Sequence, residues 1–129
     1  MSGWTRDELE KIGAAEELRL ASRRNDGRLR PAVTMWVVRH GDELYVRCVN
    51  GRDGAWFRGT QTRHEGQISA GGVAREVRFV DAAADVADAL DAAYRAKYRR
   101  YPASIVDHVV SPAARAATLR LAPDEATQQ

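Results

Sequence analysis

A chain of 129 residues, with 20 basic against 18 acidic side chains, is long enough to bury one core without disulfides, and a single domain over residues 1–129 is expected. Its charges are interspersed, not gathered into one basic run, which speaks against nucleic acid; the lone Cys48 and the scattered His40, His64 and His108 speak against a disulfide or a metal site. No apolar stretch approaches the roughly 20 residues of a membrane helix, and the opening Met-Ser-Gly-Trp-Thr-Arg-Asp-Glu is unlike a signal peptide, so no membrane partner and a cytoplasmic location are expected.

Thr5 and Glu8 have capping-box spacing, and Trp4 and Leu9 stand where a hydrophobic staple would pack, so a first helix is predicted in segment 1–14, ending near Gly13. A strand over 18–22 then turns at Asn25-Asp26-Gly27, residues suited to positive φ, into an apolar partner over 32–39. Val33 to Val38 is uninterrupted by charge, a pattern expected for a strand buried on both faces at the centre of a sheet. Across His40-Gly41-Asp42 follows a third strand, 43–49, with Leu44, Val46 and Cys48 on one face and Tyr45, Arg47 and Val49 on the other.

Beyond a loop holding Gly51 and Gly54, residues 55–63 are predicted as a two-turn helix, and 67–70 and 73–80 as a hairpin across Gly71-Gly72. Asp81 is expected to cap a long helix carrying Leu90, Tyr94, Tyr98 and Tyr101, ended by Pro102. Ser111-Pro112 starts a short helical turn, 117–122 is a last strand, and the polar tail from about 123 to 129 is expected to be disordered. These elements make an α+β chain with six strands. Periodicity does not distinguish a closed barrel from an open sheet.

Three segments combine donors with aromatic groups. The first hairpin carries Arg23-Arg24-Asn25-Asp26-Gly27 with Arg30 close behind; the loop after the third strand reads Asn50-Gly51-Arg52-Asp53-Gly54-Ala55-Trp56-Phe57; and Tyr94, Tyr98 and Tyr101 precede Pro102. Lys11 and Lys97 are the only lysines, so nearly all the positive charge is guanidinium, suited to bidentate contacts with anions. Glycines let backbone approach an anion, and the first N–H groups of a helix are unpaired donors.

The order of these features resembles the flavin-type, or pyridoxamine-phosphate-oxidase-like, split-barrel proteins, nearest the deazaflavin-dependent nitroreductase branch. The resemblance implies a six-stranded, mainly antiparallel split β-barrel with peripheral helices, a phosphorylated cofactor (deazaflavin or FMN), a small organic substrate and a homodimer. It would place Arg24, Gly27 and Arg30 at the phosphate, the backbone of Asn50, Gly51, Arg52 and Gly54 around it, and Trp56 against the ring. The chain departs from the branch in three ways: Asn25 stands where a lysine is usual, Gly59 where an asparagine is usual, and the donor tyrosines beyond Pro102 are missing. Ser104 and His108 are the catalytic candidates in their place, although a lone histidine beside an apolar segment is more often structural. A cofactor-free split barrel that binds or converts another small ligand, such as a biosynthetic intermediate, is the alternative; Trp56 and Phe57 would then simply plug the barrel end.

Overall fold

The computed structural model describes residues 3–124. Thr5 caps helix α1 (Arg6–Ala14): its hydroxyl accepts the Glu8 N–H at 3.1 Å, and the Glu8 carboxylate accepts the Thr5 N–H at 2.9 Å. Trp4 and Leu9 are both buried as the staple requires, and the Trp4 indole N–H donates to the Leu121 carbonyl at 2.9 Å, tying the helix entry to the last strand.

Seven strands follow: β1 (Leu18–Ser22), β2 (Val33–Met35), β3 (Val37–His40), β4 (Glu43–Arg47), β5 (Glu65–Ala70), β6 (Val73–Asp81) and β7 (Thr118–Pro123). They form one sheet in the order β2-β1-β5-β6-β7-β4-β3 with every pairing antiparallel. The expected count of six is corrected to seven because the run 32–39 is interrupted at Trp36. Its first half pairs with β1 and its second half with β4, so the two ends of the sheet are consecutive pieces of one stretch of chain and the barrel is nearly closed. The run is therefore the seam of the barrel, not its centre.

Side-chain alternation survives the break: Val33, Met35 and Val37 pack on the barrel core, while Trp36 and Val38 pack on the opposite side, under helices. Both faces are apolar because each has its own core, the property the sequence pattern reported. At the seam the Tyr98 hydroxyl accepts the Val37 N–H at 3.2 Å and donates to the Glu16 carbonyl at 2.7 Å, while the Lys97 ammonium donates to the Val37 carbonyl at 2.6 Å. Burial pushes the Tyr98 hydroxyl well above the usual tyrosine range, so it stays protonated and serves as donor and acceptor at once.

The barrel core combines Leu18, Leu20, Leu44, Val46, Ile68 and Phe79 with Ile12 of α1 and Phe57 of helix α2 (Ala55–Arg63). A second core lies on the outer face of β3 and β4, where Val38 and Tyr45 meet Leu90, Tyr94 and Tyr98 of helix α3 (Ala87–Lys97) and its cap, and Val106 and Val109 of helix α4 (Ala103–Val109). Strand β5 comes so close to β1 that a Cβ on Gly66 would stand 2.1 Å from the Ala21 carbonyl oxygen.

Several local expectations need correction. Asp81 caps no helix; it ends β6 and pairs with Arg52 at 3.4 Å, while α3 starts only after a 3-10 turn at Ala84–Val86. Pro102 does not end the long helix, which stops at Lys97; it precedes α4, where its missing N–H costs nothing and its carbonyl accepts the Ile105 N–H at 3.0 Å. In the first hairpin only Gly27 has positive φ, at 89°. At the other terminus Pro123 belongs to β7 and the Asp124 N–H donates to the Glu76 carbonyl at 2.9 Å, so these two residues are not part of a disordered tail; the rest of the expected tail, residues 125–129, lies outside the described residues. No described helix is long and apolar enough to cross a membrane.

Candidate functional site

Trp56, in the first turn of α2, is half-buried and forms a wall of two adjoining cavities. The larger, about 330 Å³, is lined by Thr34, Met35 and Trp36 of the seam, Arg47 and Val49 at the end of β4, and Ile105, His108 and Val109 of α4. The smaller, about 210 Å³, lies beside Leu20, Ser22, Arg30, Pro31, Val33 and Ala55. Together they make a cleft that is aromatic and apolar on one side of Trp56 and carries the Arg30 guanidinium on the other.

The loop before α2 sets the position of Trp56. The Gly51 N–H donates to the Cys48 carbonyl at 3.0 Å and the Gly54 N–H to the Gly51 carbonyl at 3.1 Å, folding the loop onto the end of β4. A Cβ on Gly54 would lie 2.6 Å from the Cys48 sulfur, so glycine is required there for packing. Burial raises the pKa of that thiol, which packs as a small apolar group. Arg52 locks the loop from outside: it donates to the Ala116 carbonyl at 3.0 Å, pairs with Asp81, and lays its guanidinium 4.9 Å from the centre of the Phe57 ring. Asn50 is exposed in the same loop.

Of the residues singled out in the sequence, Arg30, Trp56 and His108 line the cleft. Arg30 donates to the Thr62 hydroxyl at 3.3 Å, and its Nε lies 2.9 Å from where a Cβ on Gly59 would be. Glycine at that position thus leaves room for the arginine to lie across α2, which gives the Gly59 departure a physical reason. Arg24 is exposed at the hairpin tip, its side chain making no hydrogen bond or ion pair among the described residues. The Gly27 carbonyl beside it accepts from Arg23 at 2.7 Å. Ser104 is exposed on α4 and is not among the cleft-lining residues. Asn50, Gly51, Arg52 and Gly54 support Trp56 from below the cleft and do not line it. Phe57, the neighbour of Trp56, turns into the barrel core.

Of the lining residues that were not singled out as site candidates, two shape the cleft most. Trp36 is one. The other is Arg47, whose side chain is fully buried; it donates to the Thr118 hydroxyl at 3.0 Å, Asp91 at 2.5 Å, the Val109 carbonyl at 3.0 Å and the Ala87 carbonyl at 3.0 Å. It therefore ties α4, the wall that carries Ile105 and His108, to α3 and β7. An arginine inside an otherwise apolar strand was the available signal, but its acceptors come from segments remote in sequence.

A family model described as "Uncharacterized protein conserved in bacteria (DUF2255)" matches residues 8–121, from within α1 into β7. The chain belongs to this family. No curated protein matches it in sequence. Among solved structures, the DUF2255 chain is similar to one described as an F420 reductase, with a TM-score of 0.57 and 16% identity over 89% of this chain and 91% of the other. It is also similar to a FAD and heme binding protein from Mycobacterium smegmatis, with a TM-score of 0.52 and 19% identity over 92% of this chain and 65% of the other. These likenesses are of fold: the nearly closed antiparallel barrel is shared with both structures.

Proposed function

We propose that this DUF2255 protein is a small cytoplasmic oxidoreductase, nearest the deazaflavin-dependent nitroreductases, that binds deazaflavin or FMN in the cleft and reduces a small organic substrate. The observation that carries the reading is the division of the cleft by Trp56: an aromatic, apolar cavity of about 330 Å³ on one side and Arg30 on the other suit a ligand with a flat ring at one end and a phosphate at the other. The descriptions of the two structural neighbours, an F420 reductase and a FAD-binding protein, point the same way. Such a cofactor, when bound, supplies the hydride chemistry. The chain supplies binding, orientation and exclusion of water, with His108 standing at the cleft wall.

The residues fit such a cofactor unevenly. The ring has apolar walls to pack on, but the Gly51 and Gly54 N–H groups are spent inside their own loop, so phosphate neutralisation falls first to Arg30, with Arg24 exposed at the hairpin tip outside the cleft lining. That same occupied loop favours the second reading, a cofactor-free split barrel that takes another small ligand in this cleft. An absorbance and fluorescence titration with FMN, oxidised deazaflavin and reduced deazaflavin separates the two. Micromolar binding supports the first; no binding of any of the three at high concentration leaves the second. If a cofactor binds, Arg30→Ala and Arg24→Ala should each weaken it by about 1.5–3 kcal/mol with an unchanged circular dichroism spectrum, the range for hydrogen bonds to a charged group. Unaltered affinity in both variants would remove the phosphate site.

The proposal includes a homodimer with the cleft mouth facing the second copy. Val49 and Ile105, both at the larger cavity, are each 47% exposed, and burying them against another protomer would return their apolar area from water. Light scattering should give twice the 14.3 kDa protomer mass. The protomer mass across a wide concentration range would sink the dimer without touching the cleft.

A further inference from the structure

Trp36 sits at the seam with one face already covered. The Tyr98 ring lies parallel to it, 3.8 Å between centroids and 4° between planes, and Tyr101 leans on the pair at 5.0 Å and 48°. Tyr98 is itself fully buried and anchored through its hydroxyl to the Glu16 carbonyl and the Val37 N–H, so the ring behind Trp36 is held in place by the backbone on both sides of it. Trp36 is nevertheless only half-buried, and it lines the larger cavity, where its neighbours Met35, Val49 and Val109 are apolar. The surface it offers to that cavity is the part of the indole that Tyr98 does not cover.

We propose that this open surface of Trp36 is the recognition platform of the cleft, and that the ligand it selects is a planar aromatic ring, stacked as a third layer on the Tyr98–Trp36 pair. A flat π-system gains contact over a whole ring and an offset stacking geometry, with the partner already oriented and no rotamer left to fix. A saturated ring of the same size and charge gains the apolar area alone. The inference deepens the reading of the cleft as the ligand site by naming the class of group it takes. It does not depend on that group being a flavin.

The test pairs two probes that share a carbon skeleton and a carboxylate but differ in aromaticity and planarity, 2-naphthoate and its fully saturated decahydro counterpart, titrated into the intact protein with calorimetric detection. The wild type should prefer the aromatic probe by about tenfold, the size of a single stacking interaction. Trp36→Leu should abolish the preference, while Trp36→Phe, which restores a ring, should keep most of it. Where Trp36→Leu does not fold, nuclear Overhauser effects from naphthoate ring protons to the Trp36 indole of the wild type decide the matter. Equal affinity for both probes, binding of neither, a preference that survives in folded Trp36→Leu, or no Overhauser contact overturns the inference. A parallel titration with FMN and deazaflavin keeps the two ideas apart: naphthoate selectivity that depends on Trp36 with no binding of either removes the cofactor and leaves the platform. Flavin binding that Trp36→Leu leaves unchanged does the reverse.

Discussion

Arg47→Ala should cost about 3–5 kcal/mol of folding stability, the loss expected when one member of a buried charge pair is removed and its partners stay behind. The guanidinium is fully buried, and its deletion takes a donor from the Ala87 and Val109 carbonyls and from the Thr118 hydroxyl, which keeps its own bonds to the Ala114 and Arg115 carbonyls. Asp91 keeps Arg115 at 2.5 Å, so the acid is not left wholly unpaired, and the larger damage falls on the carbonyls. Arg47→Lys should recover little, because one ammonium cannot reach four acceptors arranged around a planar fork. Urea unfolding of the two variants measures the effect. A loss below about 1 kcal/mol in Arg47→Ala, the net value of an ordinary hydrogen bond, would mean that α4 and α3 hold their places without it.

Gly66→Ala is the second large effect. The added methyl would meet the Ala21 carbonyl oxygen at 2.1 Å and the Ser22 Cα at 3.0 Å, both in the backbone of β1. No rotamer relieves a clash between two main chains, so β1 and β5 must part along a register that runs from Arg19 with Ser69 to Ser22 with Gly66. About 3 kcal/mol, the upper end of overpacking costs, is the expected loss. Hydrogen exchange should show it first in the amides of β1 and β5. Gly72→Ala is a useful contrast: it has positive φ but open space around the added methyl, so its cost should be conformational and local to the turn. Equal unfolding midpoints for wild type and Gly66→Ala would refute the argument.

The features legible in the sequence are those whose causes lie within a few residues. The capping box at Thr5 and Glu8, the Gly71-Gly72 hairpin, the bounds of α2 and the alternation through Leu44, Val46 and Cys48 each depend on neighbours in the chain. The seven-strand count was not legible, because the break at Trp36 is imposed by closure: the run must serve β1 at one end of the sheet and β4 at the other. Asp81 looked like a cap for the same reason that Arg47 was not singled out for the site. Its partner Arg52 and the acceptors of Arg47 are brought together by tertiary packing, which local spacing does not encode. At the cleft, Trp56 and Arg30 were readable through the resemblance and their position in the motifs. Trp36 was not, because its role depends on a tyrosine ring delivered by the end of α3.

The seam also decides what the sheet offers to other chains. An edge strand invites a foreign strand when it presents a long, flat row of unpaired N–H and C=O groups. Here the outer edges belong to β2 and β3, three and four residues long, and they are consecutive pieces of one chain facing opposite ways. At Val37 both main-chain groups are already occupied, by the Tyr98 hydroxyl and the Lys97 ammonium. A would-be cross-β recruit thus meets two short, interrupted templates, one of them guarded by a positive charge, and closure of the barrel protects the folded chain from growing into fibrils by strand addition.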